Sequence, residues 1–235
     1  MKTKLLIALF CSFSLLATAQ SNFTAYGKRV VVGITVGPSV DWLSAKNEDI
    51  QKGGAIMGVR AGIPLDINLT ADENYYVSTG IMFNYTGGKH IIPANILPEN
   101  SIDAMHTITR KYRASYVTLI SGIKLKTPSF SNCVIVGNAG LYHSFFLGGN
   151  MMDSYIVNKV EMTAKAKNKN VAFLKESVYV GLGFEYIIKD NLKVNMMVNY
   201  TYTFNNFFNK NAIIHTNERM KGNLNGVEIL FGFFF

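Results

Sequence analysis

The sequence predicts an all-β protein, an eight-stranded antiparallel transmembrane β-barrel with long extracellular loops and short periplasmic turns. Three observations predict it. Eight runs alternate apolar and polar residues with period two. The first residues read as an export signal. The last run places Val227, Ile229, Phe231, Phe233 and Phe235 on one face, with Gly226, Glu228 and Gly232 on the other. An apolar strand edge is a template for aggregation in water. The same strand fits the closing stave of a barrel in lipid, where every backbone group is paired. Phe231, Phe233 and Phe235 also form the expected assembly signal for the barrel-insertion machinery.

The export signal spans residues 1–19. Lys2 and Lys4 supply the basic start, Leu5 to Leu16 the apolar run, and Ala17-Thr18-Ala19 the small-residue cleavage site. The mature chain is expected to begin near Gln20, with 20–28 a short periplasmic segment and 29–235 the barrel. Cys11 follows Phe10 where a lipid-attachment site needs a small residue, so no lipid anchor is expected. No other stretch reaches the ~20 apolar residues of a membrane-spanning helix, although 49% of residues are hydrophobic, with 16 Phe and 12 Tyr. An exported, apolar chain without helical spans is an all-β domain or a membrane barrel. Cys133 is the one cysteine outside the signal, which excludes a disulfide framework. The formal charge is +8, or +6 once the two signal lysines are subtracted. In an exported protein that sign points to anionic lipid headgroups and polysaccharide rather than nucleic acid.

The first run, Arg29 to Trp42, sets Val30, Val32, Ile34, Val36, Pro38, Val40 and Trp42 against Arg29, Val31, Gly33, Thr35, Gly37, Ser39 and Asp41. The second, Ala55 to Leu65, opposes Met57, Val59 and Ile63 to Gly58, Arg60 and Gly62. The third, Tyr75 to Tyr85, opposes Val77, Ile81 and Phe83 to Ser78, Gly80 and Asn84. The fourth, about Lys111 to Lys126, opposes Val117, Leu119, Ile123 and Leu125 to Thr118, Gly122 and Lys124. The fifth, Cys133 to Phe146, is placed with Ile135, Ala139 and Leu141 outward and Asn138, Tyr142 and Ser144 inward. The sixth, Ser177 to Ile187, sets Val178, Val180, Leu182, Phe184 and Tyr186 against Tyr179 and Glu185. The seventh, Leu192 to Phe204, opposes Val194, Val198, Tyr200 and Tyr202 to Lys193, Asn195, Asn199 and Thr201. The terminal run is the eighth.

One face of these runs is apolar with aromatics toward its ends, like interfacial girdles; the other is polar and small. A soluble barrel would put its apolar residues inside. With a periplasmic N-terminus, the outer connections are 43–54, 86–110, 147–176 and 205–223, and the inner ones are 66–74, 127–132 and 188–191. Long outside and short inside is the asymmetry of these barrels.

The opening Val31-Val-Gly-Ile-Thr-Val-Gly-Pro38, the segment Tyr116-Val-Thr-Leu-Ile-Ser-Gly-Ile-Lys-Leu-Lys126, Val178-Tyr-Val-Gly-Leu-Gly-Phe-Glu-Tyr186, Leu192 to Tyr200 and the final Phe231-Gly-Phe-Phe-Phe235 resemble the PorT-like outer-membrane β-barrel family common in Bacteroidota. The resemblance covers about Val30 to Phe235 and implies fold and location, in the outer membrane of a Gram-negative bacterium after signal cleavage. The fourth run departs from it, with Thr118-Leu-Ile where the family often shows Glu-x-Pro. The family's namesake is implicated in type IX secretion, and many members have no assigned activity.

The inward charges Arg60, Lys124, Glu185, Lys193 and Glu228 are expected to pair inside a bore just wide enough for side chains, because a lone buried charge is costly. His90, His106, His143 and His215 match no metal-binding spacing, and three of them lie in expected outer connections. No cofactor, metal site or enzymatic activity is expected; the catalytic sets that can be imagined are Glu185 with Glu228 as paired carboxylates and a rim group of Ser101, Asp103 and His106. The outer connections hold the positive excess, with Lys159, Lys165, Lys167, Lys169 and Lys175 in the third and Lys111 and Arg113 at the base of the second. A basic outer loop of Lys159, Lys165, Lys167 and Lys169 fits lipopolysaccharide phosphates or an acidic surface polymer. The function expected is non-enzymatic: a structural, surface-interaction or secretion-accessory role. The alternatives are a narrow ion or small-solute channel, and an outer-membrane enzyme with a rim site. Expected partners are outer-membrane lipid and lipopolysaccharide, the barrel-assembly machinery, and secretion or surface-polysaccharide components.

Overall fold

The computed structural model describes residues 30–70, 72–93, 107–157, 160–189, 192–212 and 219–235. The expected signal peptide and residues 20–28 lie outside these, as do Ser101, Asp103, His106, Lys159 and His215. The described residues form ten strands: β1 (Val30–Ala45), β2 (Gln51–Lys52), β3 (Ala55–Asn68), β4 (Tyr75–Pro93), β5 (Thr107–Lys126), β6 (Cys133–Val157), β7 (Val160–Lys167), β8 (Leu174–Lys189), β9 (Leu192–Thr203) and β10 (Gly222–Phe234). Eight of them close a barrel in the order β1–β3–β4–β5–β6–β8–β9–β10, with β10 returning to β1 and every pair antiparallel. The seam between β1 and β10 is completed by Phe235, whose N–H donates to the Val32 carbonyl at 2.9 Å and whose carbonyl accepts from the Val32 N–H at 3.3 Å. No free sheet edge remains in the wall, the condition for strands in lipid. No helix among the described residues is long and apolar enough to cross a membrane; the strands make the crossing.

The period-two reading places each side chain on the face the sequence predicts. Ile34, Val36, Ile63, Ile81, Phe83, Ile123, Ile135, Val180, Leu182, Val198, Phe231 and Phe233 are exposed on the outside, while Thr35, Ser39, Arg60, Ser78, Asn84, Thr118, Glu185, Asn195, Asn199, Thr201 and Glu228 are buried inside. Aromatic residues bound this apolar band. Trp42, Tyr85, Tyr200, Tyr202 and Phe204 lie at the outer end, Tyr75, Tyr186 and Phe235 at the inner end, and Trp42 packs on Tyr200 with ring centroids 6.4 Å apart. From Tyr75 to Tyr85 the chain rises about 33 Å along the strand, or ~25 Å of height at the usual tilt, which is the thickness of the apolar band in outer-membrane barrels.

Two outer connections are corrected. Residues 86–110 and 147–176 are not loops for most of their length. β4 and β5 stay paired from Tyr85 and Ser115 up to Pro93 and Thr107, and β6 continues to Val157 with β7 on its flank. Beyond Tyr85 and Ser115 the alternation persists but the faces exchange character. Ile92, Ile108, Tyr112 and Ala114 point inward and are buried; Lys89, Thr109, Lys111 and Arg113 point outward. The strands have left lipid for water there, so the inside becomes the apolar side. A sequence reading that looks for apolar residues outside stops at that point.

Candidate functional site

Three layers of side chains close the bore. At the inner end Val31, Tyr76 and Phe234 form a small apolar floor. Lys124 ion-pairs with Asp66 and lies over the Phe234 ring, 4.6 Å from its centroid. Lys126 donates to both Glu185 oxygens at 2.8 and 2.9 Å and lies over Tyr76. At mid-height Arg60 reaches Asp41 at 3.1 Å and Glu228 at 2.5 Å, and Tyr142 and Asn199 both donate to Glu228, at 2.7 and 2.8 Å. Above the lipid band the bore is filled by an apolar core that includes Leu43, Ile92, Ile108, Tyr112, Phe207, Phe208 and Met220. The cavity left among Met82, Tyr142, Tyr179 and Leu230 is about 50 Å³, room for a water or two.

The five inward charges expected to pair are all in the bore, joined there by partners from outside that set. Arg60 meets Glu228. Lys193 stands 3.9 Å from Glu185 and 3.9 Å from Glu73, while Lys126 takes the close contact with Glu185, and Lys124 is held by Asp66. Sequence reasoning puts Asp41 on the inward face without counting it among the paired charges, and misses Asp66, Lys126 and Lys175. The signal is in the sequence, since each has the inward parity of its strand; Asp66 and Lys175 fall in expected connections. His90 is a further correction. It is not a solvated loop residue but lies fully buried on β4, between Tyr112 and Phe208 at 5.9 and 5.8 Å, with neither ring nitrogen hydrogen-bonded among the described residues. Burial alone pushes it down to about 4.

The basic region is also rearranged. Lys165 and Lys167 belong to β7, and Lys169 lies exposed between β7 and β8; Lys159 is outside the described residues. The register aligns them with cations that the sequence had left at a loop base. Lys89, Lys111, Met152 and Lys165 face one another in a row across β4, β5, β6 and β7, and Gly87, Arg113, Asn150 and Lys167 form the next row. A groove of about 560 Å³ above Tyr85 runs along the β5–β7 part of these rows, lined by Lys111, Arg113, Asn150, Met152, Lys165 and Lys167. Arg113 stacks on Tyr85 at 5.1 Å and donates to the Met57 carbonyl. Among the described residues, none of Lys89, Lys111, Arg113, Lys165 and Lys167 is in an ion pair. Partial burial, then the charges of Arg113 and Lys89, holds Lys111 below the usual lysine range.

A closed antiparallel barrel with a polar, filled bore and an apolar outer belt defines the class: a small eight-stranded outer-membrane β-barrel. No known family and no curated protein matches the sequence. Solved structures with a similar course of chain include Neisserial surface protein A (10% identity, 86% of this chain and 95% of that one, TM-score 0.40). The outer membrane protein OprG from Pseudomonas aeruginosa aligns at 11% identity over 91% and 99%, with TM-score 0.41. The attachment invasion locus protein of Yersinia pestis, in complex with the heparin analogue sucrose octasulfate, aligns at 11% over 88% and 100%, with TM-score 0.38.

Proposed function

We propose that this is a closed-bore barrel that works through its outer surface, as a structural or surface-interaction protein that engages the anionic saccharide of lipopolysaccharide. The observation that carries this reading is the pair of cation rows beyond Tyr85. Lys89 lies directly opposite Lys111, an arrangement that costs stability in a sheet. A phosphate or carboxylate seated in the groove meets Lys111, Arg113, Lys165 and Lys167 and offsets the charge crowded there, and the rows stand just above the aromatic belt, where the sugar phosphates of the outer leaflet begin. The resemblance to the PorT-like family, and a secretion-accessory role with it, belongs to the same proposal and rests on the five sequence segments alone.

Changing Lys111, Arg113, Lys165 and Lys167 together to Gln is expected to weaken lipopolysaccharide binding on the order of tenfold at low salt, with heat-modifiable gel migration unchanged. Wild-type affinity should fall as salt rises, because exposed charges are screened over ~10 Å at 0.1 M. Equal affinity for the two proteins, or indifference to salt, removes the reading. A channel is disfavoured by the filled bore, so planar-bilayer recordings of wild-type protein at neutral pH are expected to show no steady conductance. A stable large conductance would reverse that.

A further inference from the structure

The outward wall carries one polar group that neither the bore nor the basic rows explain. Ser121 on β5, His143 on β6 and Glu176 on β8 all face outward, by the parity that puts Leu119, Ile135, Leu141, Val178 and Val180 on the lipid side. The Ser121 hydroxyl lies 2.8 Å from Nε2 of His143, and Nδ1 of the same ring lies 2.7 Å from Oε2 of Glu176. With its proton on Nδ1, His143 donates to the carboxylate and leaves Nε2 to accept from the serine. That is the connectivity of a nucleophile, its base and the group that orients the base.

The position sharpens the point. Ser121 is paired with Thr79, midway between the belt residues Tyr75 and Tyr85, while the Glu176 carbonyl accepts from the N–H of Phe204 in the outer aromatic belt at 3.2 Å. The trio therefore runs from mid-band to the outer edge, on the outer-leaflet half of the wall. An ionisable pair facing lipid there costs stability, and apolar residues at the three positions would suit the membrane better; intramembrane ionisable groups mark function by default. The register also matters. Glu176 is directly opposite His143, and Ser121 is one diagonal step away, so three separate strands hold the three groups on a rigid wall rather than a loop.

We infer that Ser121, His143 and Glu176 form a lipid-facing site that hydrolyses carboxylic esters of outer-leaflet acyl chains. The acyl chain lies along Leu119, Leu141 and Val178, which are exposed around the trio. In the first half-reaction the Ser121 oxygen bonds to the ester carbonyl carbon and its proton passes to Nε2. The bond from that carbon to the alkoxy oxygen then breaks, and Nε2 returns the proton to the leaving alcohol. In the second half a water attacks the acyl-serine, giving its proton to Nε2 and its oxygen to the fatty acid, and the Ser121 oxygen recovers the proton. Ester and water become acid and alcohol with no redox change. Thr79 places a hydroxyl directly opposite Ser121; it donates to the Ile120 carbonyl at 2.9 Å, and rotation of that side chain frees its proton for the carbonyl oxygen of the ester. Ser121 and His143 are the catalytic residues, and Glu176 is a positioning residue.

The test uses full-length folded protein in vesicles and a long-chain alkyl fluorophosphonate. The expected result is an adduct on Ser121, absent in Ser121→Ala and His143→Leu, and formed on the order of 10²-fold more slowly in Glu176→Gln at unchanged probe affinity. Glu176→Asp is expected to recover part of that rate. All variants should keep the gel shift of a folded barrel. Release of fatty acid is then followed from vesicles of phosphatidylethanolamine alone and from vesicles that also contain lipopolysaccharide; release from either supports the inference and identifies the ester. Folded wild-type protein that takes no label, that takes label without releasing fatty acid from either vesicle, or that keeps its activity as Ser121→Ala, overturns it.

Discussion

Replacing Arg60 with Met is expected to destabilise the barrel by roughly 3–5 kcal/mol, measured by urea unfolding in detergent micelles. Arg60 is the cation between Asp41 and Glu228, all three are at most 2% exposed, and removing it leaves two carboxylates facing each other in the bore. The cost is that of the stranded charges rather than the worth of the ion pair. Hence Arg60→Met combined with Asp41→Asn and Glu228→Gln should recover most of the loss. Tyr142 and Asn199 still find a carbonyl oxygen at position 228 in that triple variant. A single variant within 1 kcal/mol of wild type would mean that water reaches the carboxylates, and the bore is not closed at that level.

The second large effect is on pH dependence. His90 stands above the lipid band, buried with no hydrogen-bond partner among the described residues, and its pKa is lowered from 6.5 to about 4. The unfolded chain takes up a proton below pH 6.5, whereas the folded chain resists until about pH 4. The stabilising difference is thus whole above pH 6.5, falls by ~1.4 kcal/mol per pH unit between 6.5 and 4, and is lost below, about 3 kcal/mol in all. His90→Phe, which keeps an aromatic ring beside Tyr112 and Phe208, removes this dependence. The measurement is the difference in unfolding free energy between the two proteins from pH 7 to pH 4, so that the carboxylates of the bore cancel. The difference should grow as pH falls; a constant difference would mean that the imidazole is already hydrated in the native state.

The strands that cross lipid were legible because one physical rule, apolar outside and polar inside, operates along their whole submerged length. Val36, Ile81, Val198 and Phe231 could be assigned one at a time. The rule's limits were equally physical. Lys126 has the parity of Lys124 and was missed only at a presumed strand end. Asp66 was taken for a turn because a charge at a boundary reads as solvated. Arg110 falls in an expected connection, and Tyr112 and Ala114 lie in the fourth run with no face assigned to them, because the solvent outside the wall changes there and the pattern inverts with it. The positive excess was legible in Lys111, Arg113, Lys165 and Lys167, but its alignment in rows was not, and neither was the trio Ser121, His143 and Glu176. Their members are spread over 79 to 56 positions of chain, from Lys89 to Lys167 and from Ser121 to Glu176, and meet only through register, which alternation alone does not supply.

The exchange of faces at Ser115 also fixes how deep the molecule sits. On β5, Arg113 and Lys111 lie outward just above that residue, and Val117 and Leu119 outward just below it. Sliding the barrel inward by one repeat carries a guanidinium and an ammonium into hydrocarbon; sliding it outward lifts two aliphatic side chains into the sugar layer. Both moves are uphill, and the charged one steeply so. Thickness mismatch must then be met by the bilayer, which thins or swells around the wall, rather than by bobbing or tilting of the protein. Every group on that wall is consequently held at a set level in the outer leaflet.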